Sequence, residues 1–305
     1  MPDLHSTFSE RLEYTRVCEN NYSNIPIVLV VMWQRSSLAF IRNNRPLVMA
    51  HRGSSASAPE STRLAFQQGY DLGVDCLETD AHLTKDGQVV LFHDTRLKRT
   101  TNGSGILGTK TLTELRALDL GYKFRVPGQA GFPFRGQDLS ILTLEELLTS
   151  YPDVRVNIDL KDTFETLPGA VARVLDETGS QNRVMVGSFH QQQIRRFCQI
   201  TRGRVPTSAG PFEVLRFVFG CTIGRPFKEQ PPYAAFQVPT HFRPIKVVTP
   251  RNLRYAHDWG VAVHVWTINS PAEMQRLLAL GVDGIFSDDP ETLFAQVDAY
   301  SKLIP

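Results

Sequence analysis

From Pro46 onward, short apolar or β-branched runs alternate with longer stretches of helical spacing, and this alternation predicts an α/β fold closed as a (β/α)8 barrel. Two further observations agree with it. About eight such units follow one another, and the residues able to do chemistry fall at the carboxyl ends of the short runs, where barrels of this kind carry their sites. A length of 305 residues accommodates one barrel of about 250 residues, read here as a domain over 45–305 preceded by an extension over 1–44.

Taken in order, Met1–Asn24 has neither helical nor strand periodicity and reads as disordered. The apolar run Ile25–Trp33 reads as an added strand, an interfacial anchor, or sequence upstream of a start at Met32. Strands are then predicted at Leu47–His51, Asp75–Leu83 with its neighbour Val89–His93, Arg155–Leu160, Val184–Phe189, Val205–Ala209, Ala234–Val238, Val261–Thr267 and Gly284–Ser287. Helix starts fall between them. Thr111 with Glu114, Thr143 with Glu146 and Ser270 with Glu273 each fit a capping box, and Pro271 suits a first helical position. Gly73, Gly179, Gly260 and Gly281 stand before strands, where a helix ends in a left-handed residue. The stretch Thr95–Asp138 exceeds an ordinary βα connection and predicts an elaborated loop over one end of the barrel, after the second βα unit.

Composition narrows the function classes. Apolar content of 42% and charged content of 21% describe a globular chain with a sizeable core. A formal charge of +2 gives no footprint for nucleic acid. Cys18, Cys76, Cys198 and Cys221 are far apart and form no CxxC pair, which argues against a zinc knuckle or a disulfide framework. No run approaches the roughly eighteen apolar residues that cross a bilayer. The sequence reading is therefore a cytoplasmic protein without obligatory membrane insertion, peripheral membrane association through Ile25–Trp33 being the alternative.

Between Leu47 and Asp94 the chain places two histidines, an arginine, two glutamates and an aspartate at strand ends. Residues two apart in a strand point the same way, so Glu78 and Asp80 project together, on the side of Cys76. An isolated ExD is usually a solvated polar face. On a strand buried on both faces two unpaired carboxylates are costly, and a hard divalent cation removes the difficulty. Asp159, in VNIDLK, ends the next barrel strand and is the third candidate ligand, with Lys161 at the same parity; an ordinary ion pair between them is the competing reading. An all-oxygen set favours Mg²⁺ or Ca²⁺. His51 and His93 stand at equivalent strand ends and suit the exchange of protons between nucleophile and leaving group. Arg52 presents a planar fork to phosphate oxygens and Lys161 a point charge. Glu60, in APES, is either an acid near a helix cap or a group that orients Arg52 or meets the metal.

The segments HRGSSASAPES, ETDAHLTKDGQVVLFHDTRLKRTTNGSG, LTLEELL, NIDLK, HVWTIN and GVDGIFSDDP, in this order, resemble the glycerophosphodiester phosphodiesterase family over nearly all of Pro46–Leu293. The resemblance implies a TIM-type barrel that hydrolyses glycerophosphodiesters to sn-glycerol 3-phosphate and an alcohol, with Mg²⁺ or Ca²⁺. By position it implies an acid/base pair in His51 and His93, metal ligands in Glu78 and Asp80, phosphate contacts in Arg52 and Lys161, and a cleft tryptophan in Trp266. Two positions depart from the family pattern. Asp159 replaces the glutamate of its E-I-K motif, and Ser61 replaces the asparagine of P-E-N, although serine can still cap a helix.

The leaving alcohol is less determined. In PFEVLRFVFG, Phe212, Leu215, Phe217 and Phe219 either line an apolar region near the cleft, making a lysophospholipid the substrate, or belong to a barrel helix packing its apolar face. The four-residue spacing of Leu215 and Phe219 favours packing. A catalytically silent phosphodiester-binding relative is the alternative class, and a barrel acting on phosphoinositides or sphingomyelin is a third. Retention of both histidines and the ExD pair argues for an enzyme. Nothing in the sequence fixes the oligomeric state.

Overall fold

The computed structural model describes residues 40–41, 43–126, 128–224 and 231–302; the readings placed on Met1–Asn24, Ile25–Trp33 and Met32 lie outside them. Strands β1 (Leu47–Ala50), β2 (Cys76–Leu83), β4 (Arg155–Leu160), β5 (Val184–Gly187), β6 (Ala235–Val238), β9 (Ala262–Val265) and β10 (Gly284–Ser287) pair in the order β5-β4-β2-β1-β10-β9-β6, all parallel. Thr207 bridges Val186, and Ser208 bridges Ala235, also in parallel, which joins β5 to β6 and closes the ring of a (β/α)8 barrel. The sequence reading of a full strand over Val205–Ala209 is thus reduced to two single bridges, beside a proline with no N–H to give. Strand β3 (Val89–Leu91) lies antiparallel to β2.

Side-chain parity then sorts the two faces of the barrel wall. Leu47, Met49, Cys76, Met185, Ala235, Ala262 and Phe286 point inward and form a buried cluster at the amino-terminal end of the barrel, closed off by Phe40 and Ile41. Two residues further along several of these strands the same parity delivers His51, Glu78, Gly187, His264 and Asp288 to the interior. The alternate set, including Val48, Leu77, Val156, Ile158, Val186 and Ile285, faces the surrounding helices. Phe66 of α1 (Arg63–Asp71) is fully buried there, a burial worth about 1.5–3 kcal/mol.

Between β2 and the third barrel strand, the elaborated loop carries two 3₁₀ turns, the short helix α2 (Leu112–Arg116) and then α3 (Leu144–Ser150). It therefore lies within the second βα connection. The helices α4 (Leu167–Glu177), α5 (Gln191–Thr201), α6 (Pro211–Thr222), α7 (Pro250–Asp258), α8 (Pro271–Leu280) and α9 (Pro290–Ser301) complete the units, with a hairpin of β7 (His241–Phe242) and β8 (Ile245–Lys246) after β6. Capping boxes form at Thr111 and Thr143. At Ser270 none forms: α8 begins there, but Glu273 is drawn to Arg276 one turn on, with bonds of 2.7 Å. Ser61 does not cap α1 either. Thr62 does, accepting from the Ala65 N–H at 3.3 Å, while Ser61 sits at φ 57° with its hydroxyl unpartnered among the described residues.

One further correction concerns α6. Its buried face is Phe217, Val218 and Cys221, whereas Phe212, Leu215 and Phe219 are 63, 56 and 65% exposed. The packing expected of Leu215 and Phe219 is not found, because a helix apolar nearly all round gives its spacing no power to choose a face. Among the described residues no helix is long and apolar enough to cross a membrane.

Candidate active site

At the carboxyl end of β1 the chain turns sharply through Arg52 (φ 57°) and Gly53 (φ 81°). A Cβ on Gly53 would lie 2.5 Å from the Ala65 carbonyl carbon, so only glycine lets this turn lie against α1. The turn aims the Arg52 N–H at Glu78 Oε2, 3.0 Å away, and sends His51 over the barrel mouth. There His51 Nδ1–H donates to Asp288 Oδ1 at 2.6 Å, which leaves Nε2 facing Glu78 Oε2 at 3.9 Å. Asp288 follows β10 and is fixed by Ser55 Oγ at 2.9 Å and Asn269 Nδ2 at 2.7 Å.

Glu78 and Asp80 project into the mouth from β2, both buried. Asp80 is flanked by two cations, Arg52 Nε at 3.1 Å and Lys161 Nζ at 2.9 Å. Lys161 also reaches Asp159 Oδ2 at 2.6 Å. Arg52 continues to Glu60 Oε1 at 3.0 Å, and Glu60 accepts a second guanidinium, that of Arg99, at 2.6 and 2.8 Å.

His93 follows β3 and repeats the arrangement of His51, its Nδ1–H donating to Asp94 Oδ1 at 2.7 Å. Asp94 is paired in turn with Arg99. Below it, buried His82 lies 2.7 Å from Asp162 Oδ1 and 3.2 Å from the His93 carbonyl oxygen, while Asp162 Oδ2 accepts the Leu83 N–H at 2.8 Å. His82 is thus a positioning residue for the backbone of His93. Across the mouth, Phe189 meets Trp266 edge to face at 5.7 Å, and Lys161 Nζ lies 5.6 Å from the Phe189 ring. Beside His93 opens a basin of about 870 Å³, lined also by Arg96, Lys98, Arg99 and Lys123.

The electrostatics follow from burial and like charge. Burial and the neighbouring Asp80 push Glu78 up to about 7, against the pull of His51, Arg52 and Lys161. Burial also raises Asp159, partly offset by Lys161. Burial lowers His93. His51 is raised, because Glu78 and Asp288 outweigh the effect of burial. Asp288 is held down at about 2: burial works against ionisation, but the hydrogen bond and charge of His51 prevail.

Among the described residues no group of three or more histidine, cysteine or acidic side chains stands together as a metal cage. The pair Glu78 and Asp80 nevertheless fits a hard cation. Buried Asp80 Oδ2 has the Arg52 ion pair but no hydrogen bond, and burial together with the neighbouring Asp80 disfavours ionisation of Glu78, a penalty that a cation between the two would relieve. Asp159 is held by Lys161 instead. The sequence-predicted residues thus converge on one mouth. Asp288, Asp94, Arg99, His82 and Asp162 join them, unpredicted. For Asp288 a signal was present, since in SDDP only Asp289 is needed to cap α9, through the Thr292 N–H at 3.1 Å.

The chain matches the glycerophosphoryl diester phosphodiesterase family over residues 51–292. It is 33% identical over 261 residues to a probable glycerophosphodiester phosphodiesterase 2 of Mycobacterium tuberculosis, covering 84% of this chain and 92% of that one. It is 26% identical over 288 residues to lysophospholipase D GDPD1 of Mus musculus, covering 86% and 88%. Its fold superposes, with a TM-score of 0.65 and 24% identity over 83% of this chain and 97% of the other, on an Oleispira antarctica phosphodiesterase in complex with the product sn-glycerol-3-phosphate. With a barrel mouth of this construction and a match that spans it, the chain belongs to the glycerophosphoryl diester phosphodiesterase family and is a phosphoric diester hydrolase.

Proposed function

We propose that the chain hydrolyses glycerophosphodiesters to sn-glycerol 3-phosphate and an alcohol, with His51 and His93 exchanging protons and a divalent cation, Mg²⁺ or Ca²⁺, at Glu78 and Asp80. The observation that carries the reading is the matched pair of histidines. Each has Nδ1 engaged by a carboxylate, at 2.6 and 2.7 Å, which fixes the proton on that nitrogen and leaves Nε2 to work. One histidine takes the proton of the attacking water or adjacent glycerol hydroxyl. The other gives a proton to the departing alkoxide, so that the P–O bond breaks as a neutral alcohol leaves.

Arg52 and Lys161 sit on the acidic strand ends, and a phosphate entering the mouth competes for their donors. Their charge stabilises the negative phosphoryl oxygens as the bond changes. Glu60, tied to both Arg52 and Arg99, holds the Arg52 fork in place. When bound, the cation supplies Lewis-acid polarisation of the phosphoryl group and offsets the repulsion between Glu78 and Asp80. Asp159 is a reserve ligand in this reading, and Trp266 lines the cleft.

The test is release of glycerol 3-phosphate from glycerophosphocholine by metal-stripped protein, before and after adding Mg²⁺ or Ca²⁺. Release only with the cation is expected, and His51→Ala or His93→Ala should each lower turnover about 10²-fold or more. Undiminished turnover in both variants would sink the histidine assignment. A second reading, lysophospholipase D, is favoured by the exposed Phe212, Leu215 and Phe219. Choline release from lysophosphatidylcholine, compared with glycerophosphocholine, separates the two.

A further inference from the structure

The rim of the barrel mouth has two chemically different sides. On one, the hairpin of β7 and β8 follows β6 at its carboxyl end, with Phe242 60% and Ile245 44% exposed. Next to it begins α6, whose first turns present Phe212 and Leu215, both exposed. Val214 of α6 and Val247, directly after the hairpin, line one small cavity, so the two apolar surfaces are neighbours. Phe189, at the end of β5, adds a ring that is 59% exposed and in contact with Trp266. These are apolar groups held in water with nothing among the described residues covering them.

Cations are interleaved with them. Arg216 is exposed on α6, and the hairpin sequence HFRPIK sets Arg243 directly after Phe242 and Lys246 directly after Ile245, without one acidic residue. On the other side of the mouth, Arg96 and Lys98 are exposed at the basin beside His93. None of these five cations forms an ion pair among the described residues. A protein core packs aromatics with few charges. Aromatics alternating with unpaired cations suit an anionic lipid interface, where rings enter the acyl boundary and cations rest on headgroups.

We propose that the carboxyl-terminal rim of the barrel docks on an anionic lipid surface, with the β7–β8 hairpin and the first turns of α6, Phe212 and Leu215, entering the interface and Arg96 and Lys98 on its headgroups. The apolar and basic sides flank the catalytic mouth, so docking sets the mouth against the bilayer and presents it with diesters that carry an acyl chain. This deepens the reading of the site given above and rests on it for the substrate, though not for the docking itself.

The experiment is sedimentation of the full chain with vesicles of equal parts phosphatidylcholine and phosphatidylglycerol, in chelator, beside vesicles of phosphatidylcholine alone. Binding to the anionic vesicles is expected, weakening with salt. The double variant Phe242→Ser, Ile245→Ser should bind about tenfold or more weakly, while hydrolysing water-soluble glycerophosphocholine like the parent chain. Absence of binding by the parent chain would overturn the proposal. So would equal binding by the variant, which would place attachment away from the hairpin. A concentration-dependent dimer of the parent chain, dissolved by the same variant, would also overturn it by assigning the face to a second copy. Vesicle binding lost with the hairpin in a protein inert toward every diester would uphold docking and sink the catalytic reading instead.

Discussion

Asp80 and Asp159 are register partners across β2 and β4, which puts two carboxylates side by side on the inner face of the barrel. Like charges directly opposite on neighbouring strands destabilise a sheet. Lys161 resolves the conflict, with its ammonium 2.9 Å from one and 2.6 Å from the other. The same lysine is proposed to meet the phosphate. Binding and stability therefore draw on one charge.

Lys161→Ala should accordingly destabilise the metal-stripped protein by about 3 kcal/mol, since removing one partner of a buried ion pair strands the others. The proposed cation would take over the missing positive charge. Thermal unfolding of the variant should therefore shift upward on adding Mg²⁺ or Ca²⁺ by more than in the parent chain, as binding to the native state requires. An equal shift in both would argue that the cation does not sit near Asp80 and Asp159.

Asp159 stands where the family it resembles has a glutamate, and it reaches Lys161. One more methylene in Asp159→Glu would extend the carboxylate toward Glu78 and Asp80. The expected result is a half-saturating cation concentration lowered about tenfold, or roughly 1.4 kcal/mol, measured from diester hydrolysis against added metal. No change would remove Asp159 from the ligand set.

Gly53→Ala is expected to cost at least about 2 kcal/mol, because it forces a left-handed conformation on alanine and drives its Cβ to 2.5 Å from backbone that cannot yield. Turnover should fall with it, since the Arg52 N–H bond to Glu78 depends on that turn. Urea unfolding and a rate assay on the folded fraction separate the two effects. Parent-like stability would mean that the turn relaxes.

Much of this was legible beforehand for a physical reason. In a closed parallel barrel, period-two parity and strand-end position together decide which side chains reach the mouth, and both are written in the sequence. That is why His51, Glu78, Asp80 and Asp159 can be placed at the mouth from the sequence, and His93 from the end of β3 beside β2. Contacts across the ring are not written there. Asp288 meets His51 only because β10 pairs with β1, 237 residues apart in sequence. Arg99 reaches Glu60 only once the long loop has folded over the mouth. The outward face of α6 is not legible in the sequence because Leu215 and Phe219, like Phe217 and Cys221, are four apart, and periodicity cannot rank two apolar stripes on one helix.

Asp288 links the catalytic geometry to acid stability. Its carboxyl is held at about 2 in the fold, after the hydrogen bond and charge of His51 have outweighed its burial. An unfolded aspartate titrates near about 3.9. Because the folded value is the lower one, the contribution is complete above about pH 4 and disappears as the pH falls toward about 2. With the side chain 33% exposed, solvent screening reduces the contribution to about 1–2 kcal/mol. Asp288→Asn should thus be less stable than the parent chain at neutral pH, and the gap in urea unfolding free energy should narrow as the pH is lowered from about 5 to about 3. The variant also loses the carboxylate that fixes the proton on His51 Nδ1, so its turnover at neutral pH should drop while its affinity for the diester changes little. A stability gap constant across that window would mean that Asp288 is not ionised against His51 in the folded protein, and the positioning role would go with it.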